Sequence, residues 1–200
     1  YFFTIMTKKE EEVLPKKEEK ETKEQKEHKE PVKSTLSKER VVTESSDNAR
    51  ELYNQSRYGS LLYDGRVQFS LIEALYLLEK NKITLYDQRN KEVNPETLLK
   101  KAQKLEPNFR VRYSVYNDIR SRGYIIKTAL KFGADFRIYD RGVKPGEDHA
   151  RWVVFPVHES SSLTWYEFSA KNRVAHSTKK SCLLDALMTK GMSLIGKSAG

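Results

Sequence analysis

Apolar residues recur at helical spacing in the first half of the chain. The intervals of three and four residues between them predict one apolar face of an α-helix of about three turns. Ser70 is followed three residues later by Glu73, and this capping-box pattern predicts where the helix begins. The apolar positions are Leu71, Ala74, Leu75 and Leu78.

A second helix is predicted by the residues at its start. Asn94 is a favoured N-cap and Pro95 is favoured at the first helical position, so we expect a helix from there through Leu105. The short run Ile83–Tyr86 is a strand candidate between the two helices. Together these elements predict a small α/β domain over residues 49–113.

Short strands and turns alternate in the second half of the chain. A helix over about Ser114–Arg122 leads into this region, and Gly123 is a left-handed C-cap candidate at its end. Strands are predicted over Tyr124–Lys127 and Asp135–Tyr139, with a turn over residues 131–133 between them.

A third strand is predicted over Arg151–Val157. Its Pro156 favours an edge position or a strand end, because proline cannot donate to the hydrogen-bond ladder. Thr164 and Glu167 form another capping box, and the helix that they begin runs toward Arg173.

The last predicted element is an apolar strand over Lys180–Met188, with three leucines in the core. The predicted fold class is therefore α/β in the broad α+β sense. A small N-terminal α/β domain, residues 49–113, is followed by a C-terminal mixed-sheet domain, residues 114–200. The core leucines are Leu183, Leu184 and Leu187.

The first 48 residues differ from the rest in composition. From Lys8 to about Lys38, lysine and glutamate alternate with almost no apolar residue. Such a segment cannot bury enough surface to offset the entropy of ordering. We therefore predict that residues 1–48 form a disordered Lys/Glu-rich tail and that ordered structure begins near Ala49.

Charge is spread unevenly along the chain. Residues 1–50 hold 12 of the 37 basic and 12 of the 28 acidic side chains, which leaves 25 basic and 16 acidic side chains for residues 51–200. The formal net charge of +9 therefore lies on the part predicted to fold. Such a surface favours an anionic polymer as partner, because lysine and arginine replace the counterions of phosphates.

Cysteine content and hydropathy exclude several classes of protein. A single cysteine, Cys182, cannot form an intramolecular disulfide or a cysteine-based zinc site, and it is predicted to be a small buried residue. No apolar run approaches the roughly 18 residues needed to cross a bilayer, and YFFTIM is too short for a signal-peptide core. We expect an intracellular protein without a membrane partner, cytoplasmic or, in a eukaryote, nuclear.

Tyr139, His149 and Lys180 supply three groups that suffice to cleave RNA without a metal or another cofactor. The RNA 2′-hydroxyl attacks phosphorus when one group removes its proton, a second protonates the departing 5′-oxygen, and a cation stabilises the developing negative charge. A tyrosine has a reference pKa of about 10, so a tyrosine base requires positive charge nearby. The candidates for that charge are Lys180, Lys179 and Arg141.

Each of these residues also has an ordinary structural interpretation. A tyrosine at a strand end is usually a core or rim residue, whereas a loop histidine and a strand-edge lysine are usually solvated. Other aromatic and polar residues have weaker claims. Trp152, Phe155 and Trp165 are predicted in the core or a subunit interface, His158 and His176 are predicted to be structural, and Asp135 and Phe136 to shape the start of a strand.

The order of the motifs around these residues resembles the catalytic domain of the tRNA-splicing endonucleases, also called tRNA-intron lyases. The motifs are DIRSRGY followed by IIK, KFGADFRIY, the YDRG loop that closes on a histidine, and RVAHSTKK before an apolar strand. The upstream segment LYNQSRYGSLLYDGRVQFSLIEALYLLEKNKI resembles the N-terminal domain of that family. The resemblance covers about residues 49–188 and leaves the tail outside it.

The resemblance implies a role for each candidate. Tyr139 matches the general base of the family, His149 the general acid, and Lys180 the group that stabilises the transition state. Arg173 matches an arginine that stacks on a flipped-out base of an RNA bulge. The further RNA-binding candidates are Lys179, which rivals Lys180 for the lysine role, and Arg141.

The resemblance further implies an archaeal-type nuclease that excises introns from precursor tRNA at bulge–helix–bulge junctions. It implies 2′,3′-cyclic phosphate and 5′-hydroxyl ends, and neither a metal nor a cofactor. Two cuts per intron imply an oligomer of identical chains or one with a related endonuclease subunit. Two segments depart from the family. GMSLIGKSAG lacks a closing aromatic strand, so that Lys190 or Lys197 would replace a second base-stacking arginine, and HESSSLTWYEF has little of the acidic loop used in assembly.

Two other functions fit the same residues. A non-catalytic partner subunit of the complex would keep the fold and the basic surface but lack part of the triad. A general basic RNA-binding module would use Tyr139 to stack a base and the lysines to contact phosphates. Cleavage of a bulged precursor tRNA in EDTA separates these functions, because only the enzyme cuts the RNA.

Overall fold

A computed structural model describes residues 4–6, 30–143, 149–158 and 162–187. The chain divides into two compact units on either side of the Tyr113–Ser114 bond, and the N-terminal strand Thr4–Met6 belongs with the C-terminal unit. In the described residues each unit contains a five-stranded mixed sheet. The predicted fold class, a mixed α/β fold with N-terminal and C-terminal sheets, is confirmed.

The N-terminal unit combines one sheet with three helices. Its elements are β2 (Val32–Ser37), β3 (Arg40–Thr43), α1 (Asp47–Ser56), β4 (Ser60–Leu61), β5 (Val67–Ser70), α2 (Leu71–Glu79), β6 (Ile83–Tyr86) and α3 (Pro95–Leu105). The strand order is β4-β5-β3-β2-β6. Only the β2–β6 pair is parallel among these neighbours.

The two helices predicted from their caps are confirmed. Ser70 accepts the backbone N–H of Glu73, and the Glu73 carboxylate accepts the backbone N–H of Ser70 at 3.1 Å, which completes the capping box of α2. Asn94 accepts the backbone N–H of Thr97 at 2.8 Å and begins α3. The predicted strand Ile83–Tyr86 is β6.

The prediction of a disordered tail over residues 1–48 is wrong for residues 4–6, which form a strand, and for residues 32–43, which contain β2 and β3. β2 lies inside the sheet, antiparallel to β3 and parallel to β6. Its polar Ser34 is buried and donates to the Val32 carbonyl at 3.3 Å, and the buried Thr43 hydroxyl accepts the Val67 N–H at 2.9 Å. Ordered structure therefore begins before Ala49. Most of the Lys/Glu-rich run, residues 7–29, lies outside the described residues.

The C-terminal unit is built on a second mixed sheet. Its elements are β1 (Thr4–Met6), β7 (Ile125–Thr128), β8 (Phe136–Tyr139), β9 (Trp152–His158), α5 (Trp165–Ser177) and β10 (Ser181–Leu187), preceded by α4 (Phe109–Ser121). The strand order is β1-β10-β9-β8-β7. β9 and β1 run parallel to β10, whereas β8 is antiparallel to both β9 and β7.

The elements predicted for this unit are present, with shifted ends. α4 begins at Phe109 rather than near Ser114, and Gly123 has the predicted left-handed backbone at φ 88°. The capping box of Thr164 and Glu167 begins α5 as predicted. A buried cluster packs α5 against the sheet, and it consists of Ala129, Ala134, Val153, Phe155, Ala175 and Cys182.

The prediction of an edge position for the strand that contains Pro156 is wrong, because β9 is the central strand of its sheet. The last residue pair between β8 and β9 joins Phe136 to Val154, whereas pairing with β10 continues through Pro156 to His158. Among the described residues, Pro156 therefore has a strand partner on one side only. A missing N–H is tolerated at such a position.

Candidate active site

Three neighbouring strands of the C-terminal sheet end or begin at the same level. Ile138 of β8 pairs with Trp152 of β9, and Trp152 pairs with Ser181 of β10. Arg151, directly before β9, is bound by both neighbouring strands: its N–H donates to the Ile138 carbonyl at 2.9 Å, and its carbonyl accepts the Ser181 N–H at 3.1 Å. The first of these bonds is one residue out of step with the Ile138–Trp152 pairing, as in a β-bulge. Tyr139, Arg151 and Lys180 are the residues that adjoin the last pairs at this end of the sheet.

This register brings Tyr139 and Lys180 to the same end of the sheet although 41 positions separate them in the sequence. Adjacent strands lie about 4.8 Å apart, so two strand spacings place their Cα atoms roughly 10 Å apart. Arg137, Val153 and Cys182 lie directly opposite one another and point to one face of the sheet. Tyr139 and Lys180 stand two positions from Arg137 and Cys182 along their strands and share that face. Long side chains at these positions can therefore act on one substrate.

Tyr139 is the last residue of β8 and is only 3% exposed. The guanidinium of Arg137 lies 5.6 Å from its ring centroid, so a cation lies over the ring. Arg141, one of the cations expected there, packs instead on Tyr124, with 4.9 Å between its guanidinium carbon and the ring centroid. Sequence reasoning missed Arg137, although its place two residues before Tyr139 puts both on one face of a strand.

His149 and Lys180 lie on the two segments that lead into β9 and β10. His149 is exposed and stands three residues before Trp152, where β9 begins; the loop residues 144–148 before it lie outside the described residues. Lys180 is half-buried, and its ammonium donates to the Thr178 carbonyl at 2.8 Å. Its backbone N–H donates to the Ala175 carbonyl at 2.9 Å, which ties the lysine to the end of α5.

A cleft of about 770 Å³ opens at this end of the sheet. The described residues that line it include no carboxylate, so the cleft favours an anionic ligand. Neither Tyr139 nor His149 is among the residues that line it. The lining residues are Arg151, His176, Ser177, Lys179, Lys180 and Ser181.

The remaining site candidates divide by exposure. Arg173 is exposed on α5 but does not line the cleft, whereas Lys179 is exposed and does. Phe155 is buried in the core and Trp152 is half-buried, with its ring 6.2 Å from that of Tyr124 in an edge-to-face contact. Trp165 is 82% exposed, so its predicted place in the core is wrong, and an interface role stays a prediction.

Cys182 is buried in β10 as predicted. Burial raises the pKa of its thiol, while the charge of Lys171 opposes that rise. A raised pKa lowers the thiolate fraction at neutral pH, so Cys182 is a poor nucleophile.

Several minor candidates have a defined place in the structure. His158 is half-buried at the end of β9, and His176 is exposed on α5 and lines the cleft. Phe136 is fully buried at the start of β8, and the Asp135 carbonyl accepts the Ala129 N–H at 3.0 Å. Lys190, Lys197 and residues 159–161 of the HESSSLTWYEF segment lie outside the described residues.

In the described ranges, no helix combines the length and the hydropathy needed to cross a membrane. The same ranges contain no group of three or more histidine, cysteine or acidic side chains placed to hold a metal ion. The prediction that cleavage needs no metal is untested by this observation and stays a prediction.

The fold and the site define a mixed α/β protein with two sheet-bearing units and a basic cleft at one end of the second sheet. The family model described as "tRNA intron endonuclease, catalytic C-terminal domain" matches residues 109–191. The model described as "tRNA intron endonuclease, N-terminal domain" matches residues 32–99. The chain belongs to the tRNA-splicing endonuclease family, which confirms the resemblance found in the sequence.

Curated relatives support this membership over most of their length. A "tRNA-splicing endonuclease" of Nanoarchaeum equitans is 43% identical over 129 residues, which cover 62% of this chain and 83% of the relative. Proteins of the same name from Thermococcus onnurineus and Methanothermobacter thermautotrophicus are 38% and 39% identical. Those two matches cover 77% and 76% of this chain and 87% and 88% of the relatives.

Proposed function

We propose that this chain is a catalytic subunit that excises introns from precursor tRNA by transesterification through the RNA 2′-hydroxyl. Tyr139 is the general base, His149 the general acid and Lys180 the stabilising cation. The observation that carries the proposal is the strand register, which brings Tyr139 and Lys180 to one end of a sheet beside a basic cleft.

The proposed reaction follows from these three roles. Tyr139, as phenolate, takes the proton of the 2′-hydroxyl, and the 2′-oxygen forms a bond to the adjacent phosphorus. The bond from phosphorus to the 5′-oxygen breaks, and protonated His149 donates a proton to that oxygen. The products are a 2′,3′-cyclic phosphate and a 5′-hydroxyl. Lys180 offsets the negative charge that builds on the phosphoryl oxygens in between.

Positive charge near Tyr139 is needed for this assignment, because a neutral phenol is a poor base at neutral pH. Arg137 supplies such a charge at 5.6 Å from the ring centroid. The burial of the ring also holds the phenol in one position, which serves a group that must be aligned with a single hydroxyl. The proposed site thus contains one cation, Arg137, over the ring of the proposed base and another, Lys180, to stabilise the transition state.

Precursor tRNA is the proposed substrate, with the bulge–helix–bulge as the recognised shape. RNA bulges expose unstacked bases, whereas the major groove of an RNA helix is too narrow for side chains to read. Arg173 is exposed on α5, so its guanidinium is free of the core and accessible to stack on such a base. Two cuts per intron require two sites, so the proposed enzyme is an oligomer of this chain or a complex with a related subunit.

Cleavage of a bulged precursor tRNA in EDTA, with Tyr139→Phe, His149→Ala and Lys180→Ala as variants, tests the proposal. The wild type is expected to cut the RNA. Loss of one such group lowers the single-turnover rate by roughly 10²-fold or more, whereas the RNA dissociation constant changes by less than about threefold, because these groups act on developing charge.

Lys131→Ala is the matched control, since Lys131 is exposed on the turn between β7 and β8 at the other end of β8 from Tyr139. A second control is RNA with 2′-deoxyribose at the cut positions, which the proposed mechanism cannot cleave. Variants that lose affinity and rate in equal measure would indicate that these residues make plain phosphate contacts. A wild type that binds the RNA without cutting it would indicate an RNA-binding module or a non-catalytic subunit. An intact rate in all three variants would exclude the proposed roles.

A further inference from the structure

Arg151 stands between the proposed base and the proposed stabilising lysine. It directly precedes β9, and both of its backbone polar groups are bound by the neighbouring strands: its N–H donates to Ile138 and its carbonyl accepts from Ser181. Two strands therefore fix its backbone, whereas its side chain is 65% exposed. Arg151 also lines the cleft together with Lys180.

The guanidinium of Arg151 has two contacts in this position. Its carbon lies 4.8 Å from the centroid of the Trp152 ring, a cation–π contact that narrows the range of its conformers. Its Nη1 lies 3.4 Å from Oδ2 of Asp140. An exposed ion pair at this distance is weak, because solvent screens it and both side chains lose entropy. An incoming phosphate, which accepts two parallel hydrogen bonds from a guanidinium, can displace the carboxylate.

We infer that Arg151 binds a phosphate of the substrate RNA in the cleft, beside the scissile phosphate, and that Asp140 is the internal anion that RNA displaces. The inference rests on the proposed function, since the scissile phosphate is assigned to this cleft by the proposed role of Lys180, which lines it with Arg151. It assigns to Arg151 the task of positioning the RNA backbone, and it leaves the proton transfers to the other residues.

The inferred competition has two opposite consequences for affinity. Arg151→Ala removes a charge-assisted contact to phosphate, so RNA binding weakens about tenfold. The slope of log Kd against log salt concentration falls by about one, since one phosphate contact is lost. Asp140→Asn removes the competing carboxylate, so RNA binding strengthens by about threefold. Arg151→Lys keeps the charge but loses the bidentate geometry and lies between wild type and Arg151→Ala.

The experiment measures Kd over a range of salt concentrations with precursor tRNA that carries 2′-deoxyribose at the cut positions. Circular dichroism and thermal melting first establish that each variant folds. The double variant Arg151→Ala, Asp140→Asn is included, because competition requires Arg151: the gain from Asp140→Asn is expected to vanish when Arg151 is absent. Lys131→Ala is the control, because it measures how much RNA affinity changes when one positive charge is removed at the opposite end of β8.

Four outcomes decide between the ideas. A selective loss of affinity and salt slope in Arg151→Ala supports the inference. If Lys131→Ala loses as much affinity and salt slope as Arg151→Ala, net charge alone explains the loss and the inference is overturned. The same holds if Asp140→Asn still strengthens RNA binding when Arg151 is absent. Unchanged binding by Arg151→Ala overturns it as well. Cleavage of the 2′-deoxy RNA would instead contradict the proposed mechanism. This failure is distinguishable from failure of the inference, which is judged from the binding data.

Discussion

The two adjacent lysines at the end of α5 have different structural tasks. Lys179 has a left-handed backbone, φ 53°, and its N–H donates to the His176 carbonyl at 3.0 Å, while the N–H of Lys180 donates to the Ala175 carbonyl at 2.9 Å. These two bonds form the motif that ends many helices, in which the left-handed position is usually glycine. Lys179 therefore turns the chain, and Lys180 is the first residue directed into the sheet.

This assignment predicts that Lys179→Gly stabilises the protein. A left-handed backbone costs a non-glycine residue about 1–2 kcal/mol, whereas glycine loses about 0.5–1 kcal/mol more entropy on folding. The net gain is about 0.5–1 kcal/mol, to be measured by urea denaturation. Lys179→Ala, which removes the same charge but keeps the strain, is the control. A glycine variant no more stable than the alanine variant would contradict this account.

The same pair separates the two candidates for the catalytic lysine. Lys179→Gly preserves the turn, so its single-turnover cleavage rate is expected to stay within a few-fold of wild type, although the loss of one cleft charge weakens RNA binding. Lys180→Ala is expected to lose the rate itself. A large rate loss in Lys179→Gly with Lys180 intact would transfer the catalytic role to Lys179.

The site was partly predictable from the sequence. The motifs around Tyr139, His149 and Lys180 were sufficient to assign their proposed roles by family resemblance. Arg137 and Arg151 were both missed. Strand alternation could have found Arg137, which stands two residues before Tyr139. The importance of Arg151 depends on which residues lie across neighbouring strands, and no periodicity within a single strand encodes that register.

At the scale of elements, α5 combines a polar cap with a small apolar face, where Ala175 belongs to the buried cluster and Phe168 and Val174 pack against it. Among its described residues Ala175 is fully buried, whereas both rings of its first turn, Trp165 and Tyr166, are exposed. The Glu167 carboxylate accepts the backbone N–H and the hydroxyl of Thr164, both at 2.9 Å. Because the other end of this helix holds Lys180, fraying of α5 would disturb the proposed site.

The capping box predicts an acid-sensitive contribution to stability. The backbone N–H of Thr164, then its hydroxyl, lowers the pKa of Glu167, with a smaller contribution from Lys171. A group whose folded pKa is lowered stabilises the fold above its unfolded pKa, here about 4.3, and this stability is lost as pH falls through the folded value. Glu167→Gln is therefore expected to melt a few degrees below wild type at pH 6–7, and the difference is expected to shrink below about pH 4.

The matched control is Glu96→Gln, in the first turn of α3, where Asn94 rather than a capping box makes the cap. Thr164→Ala removes the other half of the box and is expected to cost about 1 kcal/mol. A melting difference between wild type and Glu167→Gln that persists unchanged to pH 3 would show that the carboxylate charge contributes nothing to the cap.

Sequence patterns predicted the helices whose first turns carry capping residues. They failed for a strand in which one of the buried positions is a small polar residue. α2, α3 and α5 were predicted because capping side chains mark their first turns. β2 alternates buried and exposed residues, but one of its buried positions is Ser34. Because Ser34 follows a long Lys/Glu-rich run, its sequence context predicts a solvated residue. The strand is made favourable by its neighbours, β3, which follows it after two residues, and β6, which is distant in sequence.

At the scale of the whole molecule, the number of cuts exceeds the number of proposed sites in one chain. Intron removal requires two cleavages, whereas Tyr139, His149 and Lys180 together supply one proposed site per chain. A single chain would have to release and rebind the RNA between cuts. An assembly with two sites holds both junctions at once, which raises the effective concentration for the second cut.

We therefore expect cleavage activity to sediment with species that contain at least two subunits. Mixing wild type with excess His149→Ala chain is expected to form assemblies with one working site, so RNA cut at a single junction accumulates. Excess folded Lys131→Ala chain, in which the proposed site is intact, is the control and is expected to leave both cuts coupled. If the purified chain is monomeric and inactive, a related subunit must complete the assembly. A monomer that cuts both junctions at a rate per chain independent of concentration would contradict the need for two sites.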